Sequence, residues 1–561
     1  MRYIADAGQM KESDRRTSEE AGIPPVVLME KAAEQIARIA LGMLRAAGKQ
    51  KGRVLAVYGA GGNGGDAVAA ARLLYFRGIS VTLLPADKKV PCELTQTELA
   101  IARKCGIPEW TGTCTDVDFS AYDIILDGIF GIGLSRPAAG EYGALIGRIN
   151  ASKVKVLAID IPSGIYAGTG ECPGTAVQAD VTVTFGEYKI GHFLYPGALF
   201  CGKLVLTDAG FVPEFCRQIL VGGSYRYFTY EKRDAAALLP VRVPHSNKGS
   251  YGKVLVYAGS AEVTGAAYLA AKAAYRCGVG LVKLVSAGKC LDVVRRMLPE
   301  ALYEEIPEQG QGAFWEAQVQ WADAVLAGPG IGTGQDAVRA LTGLLDAVKA
   351  GSTEKTEAKP FPDSGTERDG RAVGAGTKPL ILDADALNIL AGFCGTKRAG
   401  AGTFAERVSV LAARLPQGTV LTPHPKELSR LTGLSVNEIT KHLVDTAKQC
   451  IYNNKLIYVL KDAHTIVAGG RELYINRSGC DGMATGGSGD VLAGIIAGLS
   501  VGRQPFEAAT AGVFLHGLAG ERAQGRCGCR AMLAGDILDG MLLSEKEERR
   551  RSTGDACARI W

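Results

Sequence analysis

Two glycine-rich turns that end in aspartate carry the densest chemistry in this chain. The first reads Gly59-Ala60-Gly61-Gly62-Asn63-Gly64-Gly65-Asp66 and the second Ala484-Thr485-Gly486-Gly487-Ser488-Gly489-Asp490. Each precedes a helix-forming stretch, so each offers unshielded backbone N–H groups and the positive end of a helix dipole to an anion. In the second turn Ser488 or Gly489 opens a helix continuing through 491–498, and Asp490 stands where a carboxylate can take a proton from a hydroxyl. An N-capping box with a structural aspartate is the plainer reading of that motif alone. It is not alone. Gly328-Pro329-Gly330-Ile331-Gly332, Asp383-Ala384-Asp385-Ala386-Leu387-Asn388, Thr422-Pro423-His424-Pro425-Lys426-Glu427 and Lys461-Asp462-Ala463-His464-Thr465 each follow an apolar run. Packing does not call for polar signatures at successive strand ends, so these segments are expected to line one cleft, with 461–465 as a nucleotide wall.

Around the first turn the donors differ. Asn63, Asp127 and Ser163 supply oxygen from separate strand ends with no imidazole or thiolate, a set suited to a hard monovalent cation. Gly131-Ile132-Gly133-Leu134-Ser135-Arg136-Pro137 can wrap a pyrophosphate with backbone amides and the Arg136 guanidinium. Taken singly, such a loop is also an ordinary tight αβ connection.

These residues need strands and helices to hold them. Apolar periodicity gives a helix over 26–47, a strand over 54–58 running into the first glycine turn, and a helix over 66–76 stopped by Gly78. Further short strands follow over 81–84, 124–126, 156–159, 181–185 and 204–206. After a break at Gly222-Gly223-Ser224, a second series runs over 254–258, 281–285, 324–327, 380–382, 420–421 and 457–460. Short apolar strands alternating with helices predict α/β folds with mostly parallel sheets and helices on both faces. A length of 561 residues suits two domains: one over 1–220, a linker over 221–230, a second over 231–545 and a tail over 546–561. The polar stretch 351–377 lacks the apolar surface to fold alone and reads as a disordered insertion.

Composition narrows the function. A net charge of +5 with no basic stripe interleaved with aromatics gives no case for nucleic acid. No uninterrupted apolar span or signal core suggests a membrane, and the expected location is the cytoplasm, as a homo-oligomer. The 14 cysteines form no paired framework; Cys527-Gly528-Cys529 lacks the partners of a zinc site, so reduced thiols are expected. His516, inside an apolar helix, reads as a packing residue.

On these motifs, residues from about 230 to 545 resemble the ADP/ATP-dependent NAD(P)H-hydrate dehydratases, a branch of the ribokinase-like fold. The resemblance rests on Lys248-Gly249, Gly252-Lys253-Val254, Gly259-Ser260, Thr264-Gly265-Ala266-Ala267 and Pro299-Glu300, together with the strand-end segments above. It implies nucleotide-driven loss of water from the S form of hydrated NADH or NADPH, with Mg2+ and ADP or ATP. Ala266, Gly330, Gly332, His424 and Asp490 would contact the hydrate. Lys461, Asp462, Ala463, His464, Thr465, Gly487, Ser488 and Gly489 would contact the nucleotide, and Asp490 would be the base. His424 also suits a backbone-capping role. Where the family has Lys-Gly at the nucleotide wall this chain has Lys461-Asp462, a carboxylate that disfavours a nearby phosphate.

Residues from about 1 to 215 resemble the NAD(P)H-hydrate epimerases, which implies a Rossmann-like three-layer sandwich. Carried over, Asn63, Asp127 and Ser163 would hold K+. Asn63, Gly64, Gly65, Asp66, Gly131, Ile132, Gly133, Leu134, Ser135, Arg136, Pro137, Tyr142 and Asp160 would bind the hydrate. Lys189 matches the lysine near the reacting ring, and Asp160 with Lys189 would form the acid/base pair. The family's Asn-Asn-Gly-Gly-Asp-Gly is Gly62-Asn63-Gly64-Gly65-Asp66-Ala67 here, one asparagine and one glycine short. A bifunctional enzyme repairing hydrated NADH and NADPH is therefore expected. The competing reading is a kinase of a hydroxymethylpyrimidine-type small molecule with a non-catalytic N-terminal binding module.

Overall fold

The computed structural model describes residues 1–240, 242, 245–351, 378–394, 402–452 and 454–542. The insertion expected over 351–377 and the tail expected over 546–561 lie outside the described residues, except Gly351, which ends the helix Gln335–Gly351. Contacts divide the chain into two compact units, Tyr3–Phe228 and a second unit that runs from Thr229 and includes Met1–Arg2. The stretch expected as a linker, 221–230, instead holds the end of the helix Pro213–Gly222 and the strand Arg226–Thr229. Tyr227 and Phe228 bury there, and that burial makes a strand where the glycines alone suggest a break.

The first unit is a Rossmann-like sandwich. Its six-stranded sheet runs Ser80–Pro85, Arg53–Tyr58, Ile124–Gly128, Lys155–Ile159, Val181–Phe185, Lys203–Thr207 from edge to edge, every pair parallel. The strand Arg53–Tyr58 shows why both faces must be covered: successive side chains point to opposite sides. Val54, Ala56 and Tyr58 enter one core with Ala33, Ile36 and Ala40 of the helix Pro25–Ala46 and Val68 and Ala71 of the helix Gly62–Phe76. Leu55 and Val57 enter the other with Leu145, Ile146 and Ile149 of the helix Glu141–Ala151. An unbroken apolar run such as Val54 to Tyr58 is the mark of a doubly covered parallel sheet. From Arg53–Tyr58 the chain steps first to one neighbour and then, after Ser80–Pro85, crosses to the other side at Ile124–Gly128. The crevice between the C-terminal ends of those diverging strands is where such sheets bind ligands.

The second unit repeats the principle with a mostly parallel sheet. Its strands run Glu472–Ile475, Ile466–Gly469, Ile457–Leu460, Val420–Leu421, Leu380–Leu382, Ala324–Ala327, Lys253–Tyr257, Leu281–Ser286, Leu302–Glu305. Pairing is parallel except at the hairpin of Ile466–Gly469 and Glu472–Ile475 and its junction with Ile457–Leu460. The strand order diverges between Lys253–Tyr257 and Ala324–Ala327. At their ends the Gly259 N–H donates to the Pro329 carbonyl at 2.7 Å. The helix Ser488–Leu499 packs against Thr264–Arg276 so closely that a Cβ at Gly494 would lie 2.2 Å from the Ala270 carbonyl oxygen. That contact fixes where the N-terminus of Ser488–Leu499, and hence Asp490, points. No helix among the described residues is long and apolar enough to cross a membrane.

Candidate active sites

In the first unit the crevice is a cavity of about 740 Å3. Asn63, Asp66, Gly131, Ile132, Gly133, Leu134, Ser135, Arg136, Pro137, Tyr142, Asp160 and Lys189 all line it. Gly64 and Gly65 do not. Both lie in the first turn of the helix Gly62–Phe76, where a Cβ at Gly64 would sit 2.0 Å from the Gly59 carbonyl oxygen and one at Gly65 2.6 Å from Met29 Cε. They let the helix close onto the strand end. The helix begins at Gly62, four residues before the Asp66 start read from the sequence, because the glycines carry no side chain to obstruct its first turn.

Asp160 and Lys189 meet at the cavity. Lys189 Nζ donates to Asp160 Oδ1 at 2.5 Å, to Thr184 Oγ1 at 2.7 Å and to the Phe185 carbonyl at 3.0 Å. The Thr184 hydroxyl donates to the same Asp160 oxygen at 3.0 Å. His192 Nδ1 accepts the Lys189 N–H at 3.0 Å, and its Nε2 lies 2.8 Å from the Asp160 carbonyl. Lys189 is 1% exposed, so its charge is compensated by these groups and not by bulk water. Asp160 sits at φ +65°, a left-handed conformation costly for a residue with a Cβ. Asp66 is pushed well above the ordinary carboxylate range by burial and by the nearby negative charges of Asp160, Asp14 and Glu98. The cavity thus holds an ion pair beside a carboxyl group that resists ionisation, a combination able to take and deliver protons.

Asp127 and Ser163 lie just behind the cavity wall, both fully buried. Asp127 accepts the Ser163 hydroxyl at 2.6 Å and the Ser163 N–H at 2.8 Å. Ser163 Oγ and Asn63 Nδ2 both reach the Phe130 carbonyl, at 3.2 Å and 3.0 Å. Burial raises the Asp127 carboxyl to about 6 despite the hydrogen bonds from Ser163 and Ile129. Carboxylate, hydroxyl and carbonyl oxygens therefore gather at one point with the Asn63 amide beside them, and a hard cation held there would offset that buried charge.

Several lining residues have no counterpart among those singled out from the sequence: Asp87, Lys89, Met29, Phe185, and Lys11 and Asp14 of the helix Ala7–Glu19. A local signal for that helix existed. Asp6 and Gln9 form a capping box, the Gln9 N–H donating to Asp6 Oδ1 at 2.8 Å and the Asp6 N–H to Gln9 Oε1 at 3.1 Å. Its place at the cavity depends on tertiary packing and had no such signal.

In the second unit the strand-end segments converge on Asp490. Lys461 Nζ lies 2.8 Å from Asp383 Oδ1 and 3.7 Å from Glu427 Oε2, and Asp383 also accepts the Thr422 hydroxyl at 2.6 Å. A Cβ at Gly489 would come 3.6 Å from Lys461 Nζ and 4.0 Å from Asp383 Oδ2, so the glycine loop closes on this group. Burial first, then the charge of Asp383, raises the Asp490 carboxyl to about 7, with Lys461 opposing. A carboxylate poised near neutrality suits a general base. Gly487 takes φ +89°, which turns the loop into the helix. Ser488 Oγ lies 3.4 Å from Nε2 of His516, which is 7% exposed and held neutral by burial at about 4, as a packing residue would be.

The remaining residues fall where their segments put them. A Cβ at Gly330 would meet Ala266 Cβ at 3.0 Å, and the Gly332 N–H donates to Asp385 Oδ2 at 2.9 Å. His424 caps the helix Pro425–Thr432: its Nδ1 accepts the Lys426 and Glu427 N–H groups at 3.1 and 3.3 Å. Burial and the Lys461 charge lower its basicity further. The ring's remaining nitrogen, Nε2, lies 3.3 Å from Glu427 Oε1. Lys461 is thus paired with the Asp383 and Glu427 carboxylates. Asp462 is exposed, its Oδ1 accepting the Ala463 N–H at 2.8 Å, and Thr465 Oγ1 donates to the Asp462 carbonyl at 3.3 Å beside His464. Asp383 and Glu427 were visible as members of motifs, but their pairing with Lys461 joins three strand ends and was not.

Comparison with known proteins matches both units. The family described as YjeF-related protein N-terminus matches residues 25–191, and the family described as NAD(P)H-hydrate dehydratase matches residues 254–350 and 370–542. The bifunctional NAD(P)H-hydrate repair enzyme of Thermofilum pendens is 35% identical over 539 residues, covering 93% of this chain and 92% of its own. That of Escherichia coli is 31% identical over 542 residues, covering 95% and 92%. The ADP/ATP-dependent NAD(P)H-hydrate dehydratase of Bacillus subtilis, crystallised with ATP and Mg2+, is 28% identical over 57% of this chain and 98% of its own, with a TM-score of 0.43. Relatives that carry both halves in one chain leave the kinase with a non-catalytic N-terminal module without support. By its two sites and by identity along nearly its whole length, the chain belongs to the bifunctional NAD(P)H-hydrate repair enzymes.

Proposed function

We propose that the two units treat one damaged cofactor in succession: the first interconverts the R and S hydrates of NADH and NADPH, and the second dehydrates the S hydrate at the expense of ADP or ATP. The convergence of Asp383, Lys461 and Asp490 at the N-terminus of Ser488–Leu499 carries this reading. The hydroxyl on the reduced ring is a poor leaving group until a phosphoryl group is transferred to it. Asp490 removes the hydroxyl proton as the oxygen attacks the terminal phosphorus, and the N–H groups of the glycine loop hold the transferring oxygens. The ring-nitrogen lone pair then expels phosphate, and loss of the neighbouring ring proton restores the dihydropyridine. With ADP the products are NAD(P)H, AMP and phosphate. Mg2+ would enter with the nucleotide phosphates and neutralise their charge.

In the first unit, Arg136 and the N–H groups of 131–136 bind the pyrophosphate. Asp160 with Lys189 protonates the hydroxyl oxygen as the ring-nitrogen lone pair breaks its bond to carbon, and deprotonates the water that re-adds to the opposite face, so the carbon inverts with no net change of atoms. Asn63, Asp127 and Ser163 would hold K+, which supplies a fixed positive charge behind the loop 129–131. The test is direct. Purified protein is given the S hydrate with ADP or ATP, and separately the R hydrate, and the dihydronicotinamide absorbance is followed. Recovery from S with either nucleotide, and from R only while the first unit is intact, is the expected result; no recovery from S with either nucleotide overturns the reading.

A further inference from the structure

A second cavity of about 410 Å3 opens beside the first, along the C-terminal ends of Arg53–Tyr58 and Ser80–Pro85. The two share Ala60, Asp87 and Lys89. Its position follows from topology: the main cavity lies between Arg53–Tyr58 and Ile124–Gly128, and this one lies on the opposite side of the first glycine turn. A dinucleotide whose pyrophosphate lies between the loop 131–137 and that turn, with its nicotinamide end at Asp160 and Lys189, can extend its adenosine end past Ala60 into this second cavity. The walls suit adenosine. Tyr58, Pro85, Pro91, Leu99 and Ala100 are aromatic or apolar, and the volume falls in the range of small-molecule pockets.

At the junction of the two cavities is a group the fold does not satisfy. Asp87 Oδ1 accepts the Lys89 N–H at 2.9 Å, but Asp87 Oδ2 is buried with no hydrogen-bond partner. The side chain is 11% exposed, and the nearest charge, Lys89 Nζ, is 3.7 Å from Oδ2. A buried carboxylate oxygen left without a donor is costly unless something donates to it. Lys89, 61% exposed, is the cover; its ammonium lies 3.2 Å from the Tyr142 hydroxyl on the main-cavity side and can turn toward a phosphate. That movement leaves Oδ2 facing the second cavity. An acidic side chain at the end of the strand after the glycine turn is placed to accept from the vicinal hydroxyls of a ribose.

We propose that Asp87 is a specificity-determining residue of the epimerase unit, accepting hydrogen bonds from the adenosine ribose diol and thereby favouring the NADH hydrate over its 2′-phosphorylated counterpart. The inference rests on the epimerase reading above. A 2′-phosphate would bring a like charge against Asp87 and remove one donor. Of the cations nearby, Arg103 is already bound to Glu109 at 2.9 and 3.1 Å, Lys88 lies exposed at the rim, and Lys89 is the one that turns toward the pyrophosphate on the main-cavity side.

The test compares epimerisation of R-NADH hydrate and R-NADPH hydrate by the full chain and by Asp87→Asn, each with thermal unfolding recorded. Asparagine retains an Oδ1 acceptor for the Lys89 N–H and removes the charge. For the wild type, a lower KM for NADH hydrate is expected. In Asp87→Asn the KM for NADH hydrate should rise about tenfold, with kcat changed less than about twofold, while the KM for NADPH hydrate stays level or falls. Equal changes for both substrates, or an unchanged ratio in a variant that unfolds like the wild type, overturn the proposal. If the wild type epimerises neither hydrate, the epimerase reading itself fails. If Asp87→Asn does not fold, Asp87→Ser, which retains a short oxygen acceptor without the charge, is held to the same ratio.

Discussion

Removal of the Lys189 ammonium tests the physics of the first site most sharply. Lys189→Met keeps the length and apolar stem but leaves Asp160 Oδ1 without the cation 2.5 Å away, and Thr184 Oγ1 and the Phe185 carbonyl without their donor. At that separation the Coulomb attraction is ~7 kcal/mol for an effective dielectric constant of about 20. Most of it offsets the desolvation of two charges in a site where Lys189 is 1% and Asp160 9% exposed. The measurable quantity is therefore the penalty for leaving one charge buried and unpaired, about 3–5 kcal/mol. Asp160→Asn in the same chain removes that charge, so the double variant should regain a large part of the loss. Denaturant unfolding of the full chain, followed through the transition of the first unit, reads both values, and epimerisation should be abolished in both proteins. A Lys189→Met chain within about 1 kcal/mol of the wild type, or a double variant less stable than the single, would refute the view of a buried pair whose members depend on each other.

Four further outcomes are expected. Asp490→Asn should lower dehydratase kcat by about 100- to 10,000-fold while leaving epimerisation unchanged. In the wild type the base must be ionised, so with its carboxyl at about 7 dehydratase kcat/KM should rise as pH increases through neutrality and level off above it, which a pH–rate profile reads. Asp127→Asn removes the charge among the oxygen donors behind the loop 129–131, and the K+ concentration for half-maximal epimerisation should rise about tenfold or more. Gly64→Ala would force a Cβ to 2.0 Å from a backbone oxygen and should cost about 1–3 kcal/mol or more. Gly61→Ala, with nothing within 4 Å, should stay within about 0.5 kcal/mol, both read by denaturant unfolding.

Much of the architecture was legible locally. Val54 to Tyr58 and Ala324 to Ala327 are continuous apolar runs bounded by charge on one side and glycine on the other, and a parallel sheet buried on both faces needs that pattern. The strand Arg226–Thr229 was not legible, because Gly222-Gly223-Ser224 reads as a break and only burial of Tyr227 and Phe228 decides otherwise. The insertion left no such test, lying outside the described residues. Among site residues, Asp490 announced itself through the glycine loop. Asp87 and Asp14 sit in unremarkable polar stretches and gain meaning only from the cavity they face.

By itself the sequence determined which groups could react: which strand ends carry glycine for close approach, which carry oxygen donors, and which helices begin with a carboxylate. These are local properties, set by residue type and by periods of 2 and 3.6. Tertiary structure decided how those groups are partnered. It committed Lys461 to Asp383 and Glu427, occupied His424 with a helix cap, made Gly64 and Gly65 packing residues, and left Asp87 Oδ2 unsatisfied at the border of two cavities. The reason is that charge, burial and hydrogen bonding depend on distance in space, and residues far apart in the chain are brought within about 3 Å only when the crossovers of the sheet are complete.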